Sequence, residues 1–526
     1  MHEWLWRRGS DTSTDIPVVT PPTTTPPTGD IILSGKITYD LVPVDSDSIG
    51  LDYDNIRQEA VKGVQVDAID SSNESLASTI TDAVGNYSFS IPNNTAIKIR
   101  VLAKTVNSGT SSWDVKVIDN TNNDALYVME GALTSTGLSD ATRNLNASSG
   151  WSGSRYTSSR VAAPFAILDN AYKSIQKVLT ANPDTVFPPL LMNWSINNVE
   201  GYNASNQIEP SIGLIGTSHY SNSNLFILGD ADTDTDEYDD HVITHEWGHY
   251  YEDKLSRSDS IGGSHGAGEL LDIRVAFSEG FGNAFSGIVL DDPVYFDTMD
   301  ASQAGGFSFD MESGAQNNPG WYSEASIHRL LYDLYDDRND GSDTLSFGFA
   351  PLHAIFTGTQ KTTPAFTSIF SFITLLKDEN IGDAMDIDTL VSSENIATIT
   401  DIYGSGRVDR PGDYPYKDLT IGTVLPLVIT NTYGDYNKLS NRKYVKFTIT
   451  ASGTYTIKVQ QTNGINSDPD FYLFDTSLFS QVDASESEVR GLEQKDITLS
   501  TGEYLLDVSE FNNINNAQLN VSITVK

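Results

Sequence analysis

Cysteine is absent from all 526 residues, so no disulfide, thiolate ligand or thiol nucleophile enters the chemistry of this chain. The absence does not fix a compartment, because exported bacterial enzymes often do without disulfides. Positive charge is also scarce: 32 Lys and Arg stand against 71 Asp and Glu, a formal net charge of −39. That balance argues against nucleic acid and anionic membrane as partners, since both are bound through basic surfaces. Acidity of this kind goes with solubility, salt tolerance or calcium binding. No run is long and apolar enough to span a membrane. The length exceeds what one core can serve, and three or four domains are expected.

Histidine is scarce too, with eight in the chain, and two of them fall in His245-Glu246-Trp247-Gly248-His249. Residues four apart on a helix share a face, so both imidazoles can converge on one metal ion. Glu246 then reaches a water at the metal's open position and acts as general base. This His-Glu-x-x-His pattern is a zinc-peptidase signature. A third ligand is offered by Ser278-Glu279-Gly280, thirty positions after His249 in a second apolar-patterned run from about Gly268 to Leu290. Two histidines and a glutamate leave the fourth zinc position open. The competing reading of Glu279 is an ion pair with Arg274. Asn283, one helical turn after Glu279, is placed to orient a ligating histidine.

At these residues the chain resembles the gluzincin metallopeptidases, which include thermolysin and the fungalysins. The resemblance covers about 130 residues, from the acidic run before His245 to the helix after Trp321. It departs at Asn283, where that class commonly has aspartate, and in a glutamate placed somewhat later than in the thermolysin pattern. It implies a zincin-like core, Zn2+ held by His245, His249 and Glu279, and a protein or peptide substrate. It also implies an oxyanion donor from the segment opening at Asn318-Pro319-Gly320-Trp321, which is Tyr322 or His328. Both have a competing reading as packing aromatics. A sheet before the zinc helix should offer its edge to extended substrate, with Gly216-Thr217-Ser218-His219 as the expected edge. His219, His241, His265 and His353 lack partner spacing and read as structural or surface residues.

The flanks read as β. Ile32-Leu33-Ser34-Gly35-Lys36-Ile37 and Asp82-Ala83-Val84-Gly85-Asn86-Tyr87-Ser88-Phe89 resemble the transthyretin-like sandwich of carboxypeptidase regulatory regions. Gly453-Thr454-Tyr455, Asp468-Pro469-Asp470-Phe471 and Thr501-Gly502-Glu503-Tyr504 resemble the bacterial pre-peptidase C-terminal domain, which implies secretion. The expected fold class is therefore multidomain: an α+β zincin-like catalytic core flanked by two all-β sandwich domains. The expected boundaries are a disordered Pro/Thr-rich linker at 1–30, a transthyretin-like sandwich at 31–125, the peptidase domain at 126–410 and the C-terminal sandwich at 411–526. Inside the core, a buried helix is expected over Val161 to Leu179, and strands at Leu190 to Ile196, Ile212 to Tyr220 and Leu225 to Leu228. Further helices are expected at Ala365 to Leu376 and Ile396 to Tyr403.

Asp230 to Asp240 carries seven acids that do not match an EF-hand, since the sixth position is Thr235 and the twelfth His241. Asp230, Asp232 and Asp234 are calcium candidates in a non-standard loop, against a solvated acidic loop. Asp468 and Asp470 are calcium candidates against a simple turn. The functional expectation is a secreted or surface-tethered zinc-dependent endopeptidase, extracellular, cell-surface or periplasmic, with Zn2+ as the expected cofactor and Ca2+ as a candidate second ion. The Pro/Thr linker is the expected tether, and the targeting segment is expected to lie outside this sequence. The alternative is a surface adhesin or binding protein with a vestigial zinc site. A metal site for ester or non-peptide amide hydrolysis is the third reading.

Overall fold

The computed structural model describes residues 29–313, 317–338, 344–407, 409–410, 412–464 and 466–526. The expected linker at 1–30 lies outside them except for its last two residues. The chain is multidomain and mostly β, with seven α-helices among the described residues. It divides into two compact units: Met1–Tyr250 with Phe285–Asp310, and Tyr251–Ala284 with Met311–Lys526.

The first unit opens with β1 (Asp30–Leu41), β2 (Val64–Asp70), β3 (Ser75–Ile80), β4 (Asn86–Pro92), β5 (Ala96–Asn107), β6 (Trp113–Asp119) and β7 (Leu145–Ala147). Strict alternation in β1 sends Ile31, Leu33, Ile37 and Tyr39 inward, the pattern of a strand with one buried face. Strand β1 pairs antiparallel with β4 in the register Leu33↔Phe89, and parallel with β7. There follow α1 (Ala163–Ala181), β8 (Leu190–Trp194), β9 (His219–Ser221) and β10 (Asn224–Ile227). Helix α1 carries Pro164 as its second residue, where the missing N–H costs nothing in the first turn, and buries Phe165, Ile167, Leu168, Ile175 and Val178.

Strands β1, β4 and β7 belong to one sheet, and the others form a second in the order β9-β10-β8-β6-β5-β2-β3, in which β6 pairs parallel with β8. Strands on both sides of residue 125, the boundary read from sequence, are thus hydrogen-bonded neighbours. The expected strand at Ile212 to Tyr220 shrinks to its last two residues within β9. Pro210 starts a short 3-10 turn, and Gly213 and Gly216 adopt φ of 88° and 78°, left-handed conformations that end strand geometry. The unit then runs through β11 (Gly229–Asp230), β12 (Asp234–Thr235) and the first part of α2 (Asp240–Lys254). It regains the chain within α3 (Ile273–Leu290) and closes with the hairpin of β13 (Val294–Met299) and β14 (Gly305–Asp310).

The second unit holds the end of α2, the start of α3, and helices α4 (Glu324–Asp333), α5 (Phe349–Thr357), α6 (Ile369–Glu379) and α7 (Ala384–Ser393). Helix α6 starts later than the apolar pattern implies: Ser368 is extended at its N-terminus, and its N–H donates to the Ser371 hydroxyl at 3.1 Å. The helix expected at Ile396 to Tyr403 is not formed. Instead α7 ends, Asn395 turns left-handed at φ 55°, and Ile396 and Ile399 are buried from a non-helical run.

After the helices come β15 (Tyr416–Asp418), β16 (Val424–Ile429), β17 (Arg442–Ile449), β18 (Gly453–Gln461), β19 (Pro469–Asp475), β20 (Ser480–Ser485), β21 (Leu492–Leu499), β22 (Gly502–Glu510) and β23 (Ala517–Val525). They make two sheets, β15-β17-β22-β19-β20 and β16-β23-β18-β21. Between them Val445, Phe447, Ile457, Phe471, Leu506 and Val521 form an apolar core, the arrangement of a β-sandwich. Arg274 at the start of α3 reaches this sandwich, pairing with Asp272 and with Asp507 on β22 at 3.0 Å each. Those two aspartates therefore take the ion-pair role that the sequence left open between Arg274 and Glu279.

Candidate metal centre

Helix α2 carries Asp240 in its first turn and Lys254 in its last, each matched in sign to the helix dipole. One face is fixed by apolar packing in the first unit. Trp247 is 1% exposed and stacks on Phe285 of α3, ring centroids 5.6 Å apart and planes 9° apart. Another face presents the two histidines. Their Nε2 atoms are 3.0 Å apart, and His245, Glu246 and His249 each place a ligand atom within 4.8 Å of the others. Two ligands of a tetrahedral zinc, with bonds of about 2.0–2.1 Å, stand about 3.3 Å apart. The imidazole pair fits that edge to within a few tenths of an ångström.

Edge strand β9 lies at this helix. The Tyr220 N–H donates to Glu246 Oε2 at 2.8 Å, which places the sheet edge beside the carboxylate. The edge comprises His219–Ser221, slightly later than the expected Gly216 to His219. On the hairpin, Tyr295 turns its ring toward His245 edge-on, centroids 6.4 Å apart. Its hydroxyl is held far above the ordinary tyrosine value, first by burial and then by the charges of Asp297 and Glu246. Sequence reasoning missed Tyr295. The Tyr295-x-Asp297 alternation of a strand was its only signal.

The remaining candidates belong to the second unit. Glu279 lies in α3, 6% exposed, with its Oε2 3.2 Å from His265 Nε2, and His265 Nδ1 is 2.8 Å from Glu324 Oε2. His265, read from sequence as structural or surface, thus joins two buried carboxylates. Gly280 follows Glu279 because a Cβ there would fall 2.5 Å from the Ile327 Cβ of α4. Asn283 sits one turn on and is buried. The Tyr322 hydroxyl donates to the Pro319 carbonyl at 3.1 Å and accepts from Arg410 Nε at 2.8 Å. His328 is buried within α4.

The acidic run resolves residue by residue. Asp230 accepts from the Asp232 N–H and the Thr233 hydroxyl, closing its own turn, and Asp232 is exposed. Glu237 pairs with Arg160 at 2.8 Å and Asp240 with Lys173 at 2.9 Å. Asp239 accepts from the Thr298 N–H and hydroxyl. Asp234 and Asp236 instead meet Asp297 of β13, with carboxylate oxygens within 4.8 Å of one another. Of the three calcium candidates expected in this loop, only Asp234 belongs to that group. The other two members of the group are Asp236 and Asp297, while Asp230 closes the β11–β12 turn. In the second unit, Asp468 and Asp470 are both 6% exposed. Arg490 lies 3.8 Å from Asp468, and burial, then the charges of Asp468 and Glu493, push Asp470 up to about 7.

No family model matches the chain, and no curated protein matches it. Among solved structures it is similar to the pre-peptidase C-terminal domain of a collagenase from Bacillus anthracis, at 13% identity over 20% of this chain and 93% of that one, TM-score 0.17. It is also similar to PliG, a periplasmic inhibitor of g-type lysozyme from Aeromonas hydrophila, at 14% identity over 21% and 97%, TM-score 0.15. A third likeness is to a putative carbohydrate binding protein from Pseudomonas aeruginosa, at 10% identity over 22% and 88%, TM-score 0.13. At these scores none of the three assigns a fold or an activity to this chain. No helix among the described residues is long and apolar enough to cross a membrane.

Proposed function

We propose that this chain is a zinc-dependent endopeptidase, exported and either secreted or tethered at the cell surface, with a zincin-like core. The observation that supports it best is the pair of Nε2 atoms on α2, 3.0 Å apart with Glu246 alongside. His245 and His249 would hold the metal, with Glu279 as the third ligand that the gluzincin resemblance implies. Zinc, when bound, supplies Lewis acidity at the scissile carbonyl and at the attacking water. Glu246 takes the proton from that water and delivers it to the leaving amine nitrogen. Strand β9 offers main-chain groups to an extended peptide, and the Tyr220 N–H orients the Glu246 carboxylate. Oxyanion donation falls to Tyr322 or His328, and Asn283 orients a ligand imidazole.

The test is cleavage of a diverse peptide mixture by the full chain and by Glu246→Gln, with zinc content measured in both. The expected result is cleavage by the wild type and a loss of about 10²–10⁴-fold in the variant at equal zinc content. Equal zinc with no cleavage by either protein would favour the adhesin reading. Glycan or matrix binding unchanged in Glu246→Gln would then support it. Turnover of esters or simple amides without peptides would favour the non-peptide reading.

A further inference from the structure

We propose that Asp234, Asp236 and Asp297 hold a hard divalent cation of the calcium class, apart from the histidine site. Their carboxylate oxygens lie within 4.8 Å of one another, the separation reached by two ligands of one calcium ion with bonds of about 2.4 Å. Asp236 is 2% exposed. Among the described residues, the Oδ1 atoms of Asp234, Asp236 and Asp297 are all buried without a hydrogen-bond partner. No Lys or Arg in the described residues forms an ion pair with any of the three, although Glu237 and Asp240 in the same run each have one. Buried carboxylates of like charge are stable only when protonated or when a cation joins them. Burial first, and neighbouring carboxylates after it, push Asp234 up to about 6 and Asp297 to about 7. An all-oxygen donor set selects calcium or magnesium over zinc, and carbonyls and water fill the remaining positions.

The position gives such a cation a task. The second oxygen of Asp236 accepts the Ser218 hydroxyl, and Ser218 Oγ accepts the Leu228 N–H at 2.9 Å. Ser218 leads directly into β9, whose Tyr220 N–H meets Glu246. Asp297 lies on β13 two residues beyond Tyr295, on the same strand face as the ring that approaches His245. One ion would therefore tie the sheet edge that meets Glu246 to the hairpin whose Tyr295 approaches His245.

The experiment titrates calcium chloride into the full chain by calorimetry, with magnesium chloride as a second arm, and follows Tm with each. Asp236→Asn and Asp297→Asn are run beside the wild type, and Asp297→Asn serves if the more buried substitution does not fold. The expected result is a calcium equivalent bound more tightly than magnesium, a Tm rise of several degrees, and loss of both in the variants. In calcium the variants should unfold at lower temperature than the wild type. Terbium, a calcium-sized luminescent probe, should saturate on the wild type and be displaced by calcium. Variants that keep the wild-type calcium stoichiometry overturn the proposal. So do variants that are more stable than the wild type in calcium, because relief of carboxylate repulsion would then be the whole effect. Failure of the wild type to bind calcium, magnesium or terbium also overturns it.

Discussion

Two groups of buried aspartates, one in each unit, face the same electrostatic problem with opposite solutions. In the second unit Asp272 and Asp507 share Arg274, and Arg442 adds a second guanidinium 2.8 Å from Asp507. Burial alone would raise Asp272, but the charge and hydrogen bonds of Arg274 hold it below the ordinary aspartate value. In the first unit Asp234, Asp236 and Asp297 have no such partner among the described residues, and all three are pushed upward. Where the fold supplies its own cation, a buried carboxylate stays ionised. Where it does not, the carboxylates take protons or an ion from solution.

The comparison can be broken most forcefully at Arg274. Arg274→Ala leaves Asp272 without its cation and Asp507 with only Arg442, and should cost about 3–5 kcal/mol of stability, read from denaturant midpoints. A cost near zero would mean that the network contributes nothing net. The sign of its pH dependence follows from the lowered Asp272. A depressed carboxyl contributes stability above its ordinary value of 3.8, and that contribution is lost as pH falls through the lower folded value. Acid unfolding of the wild type should therefore begin at lower pH than that of Arg274→Met, as followed by circular dichroism. The smallest effect is expected at Asp232, which is exposed and outside both groups. Asp232→Asn should change stability by no more than about 0.5 kcal/mol and leave calcium stoichiometry unchanged. A lost calcium equivalent there would move the proposed site into the loop itself.

The two candidate metal groups differ in how far sequence alone could reach them. His245, Glu246 and His249 sit within a single turn and a half of helix, so spacing implies their geometry once the helix is recognised. Tyr295 and Asp297 gain meaning only because the β13–β14 hairpin returns beside α2, and no local pattern announces that. The same limit explains Ile212 to Tyr220, where apolar content suggested a strand but Pro210, Gly213 and Gly216 decided the backbone. It also explains His265, whose partners Glu279 and Glu324 lie in two different helices.

What the sequence determined by itself was therefore what rides on short-range periodicity and charge. That includes the convergent imidazoles of α2, the alternating strands of both β regions, the scaffold helix α1, and the exclusion of thiol chemistry. Tertiary structure alone decided which acids of the Asp230 to Asp240 run would find a partner and of what kind. Arg160, Lys173 and Thr298 each claimed one, and a strand 61 residues after Asp236 supplied a further carboxylate instead of a cation. Helical and strand periods are written into neighbouring residues. The partner of a buried charge depends on which distant segments the fold brings within a few ångströms.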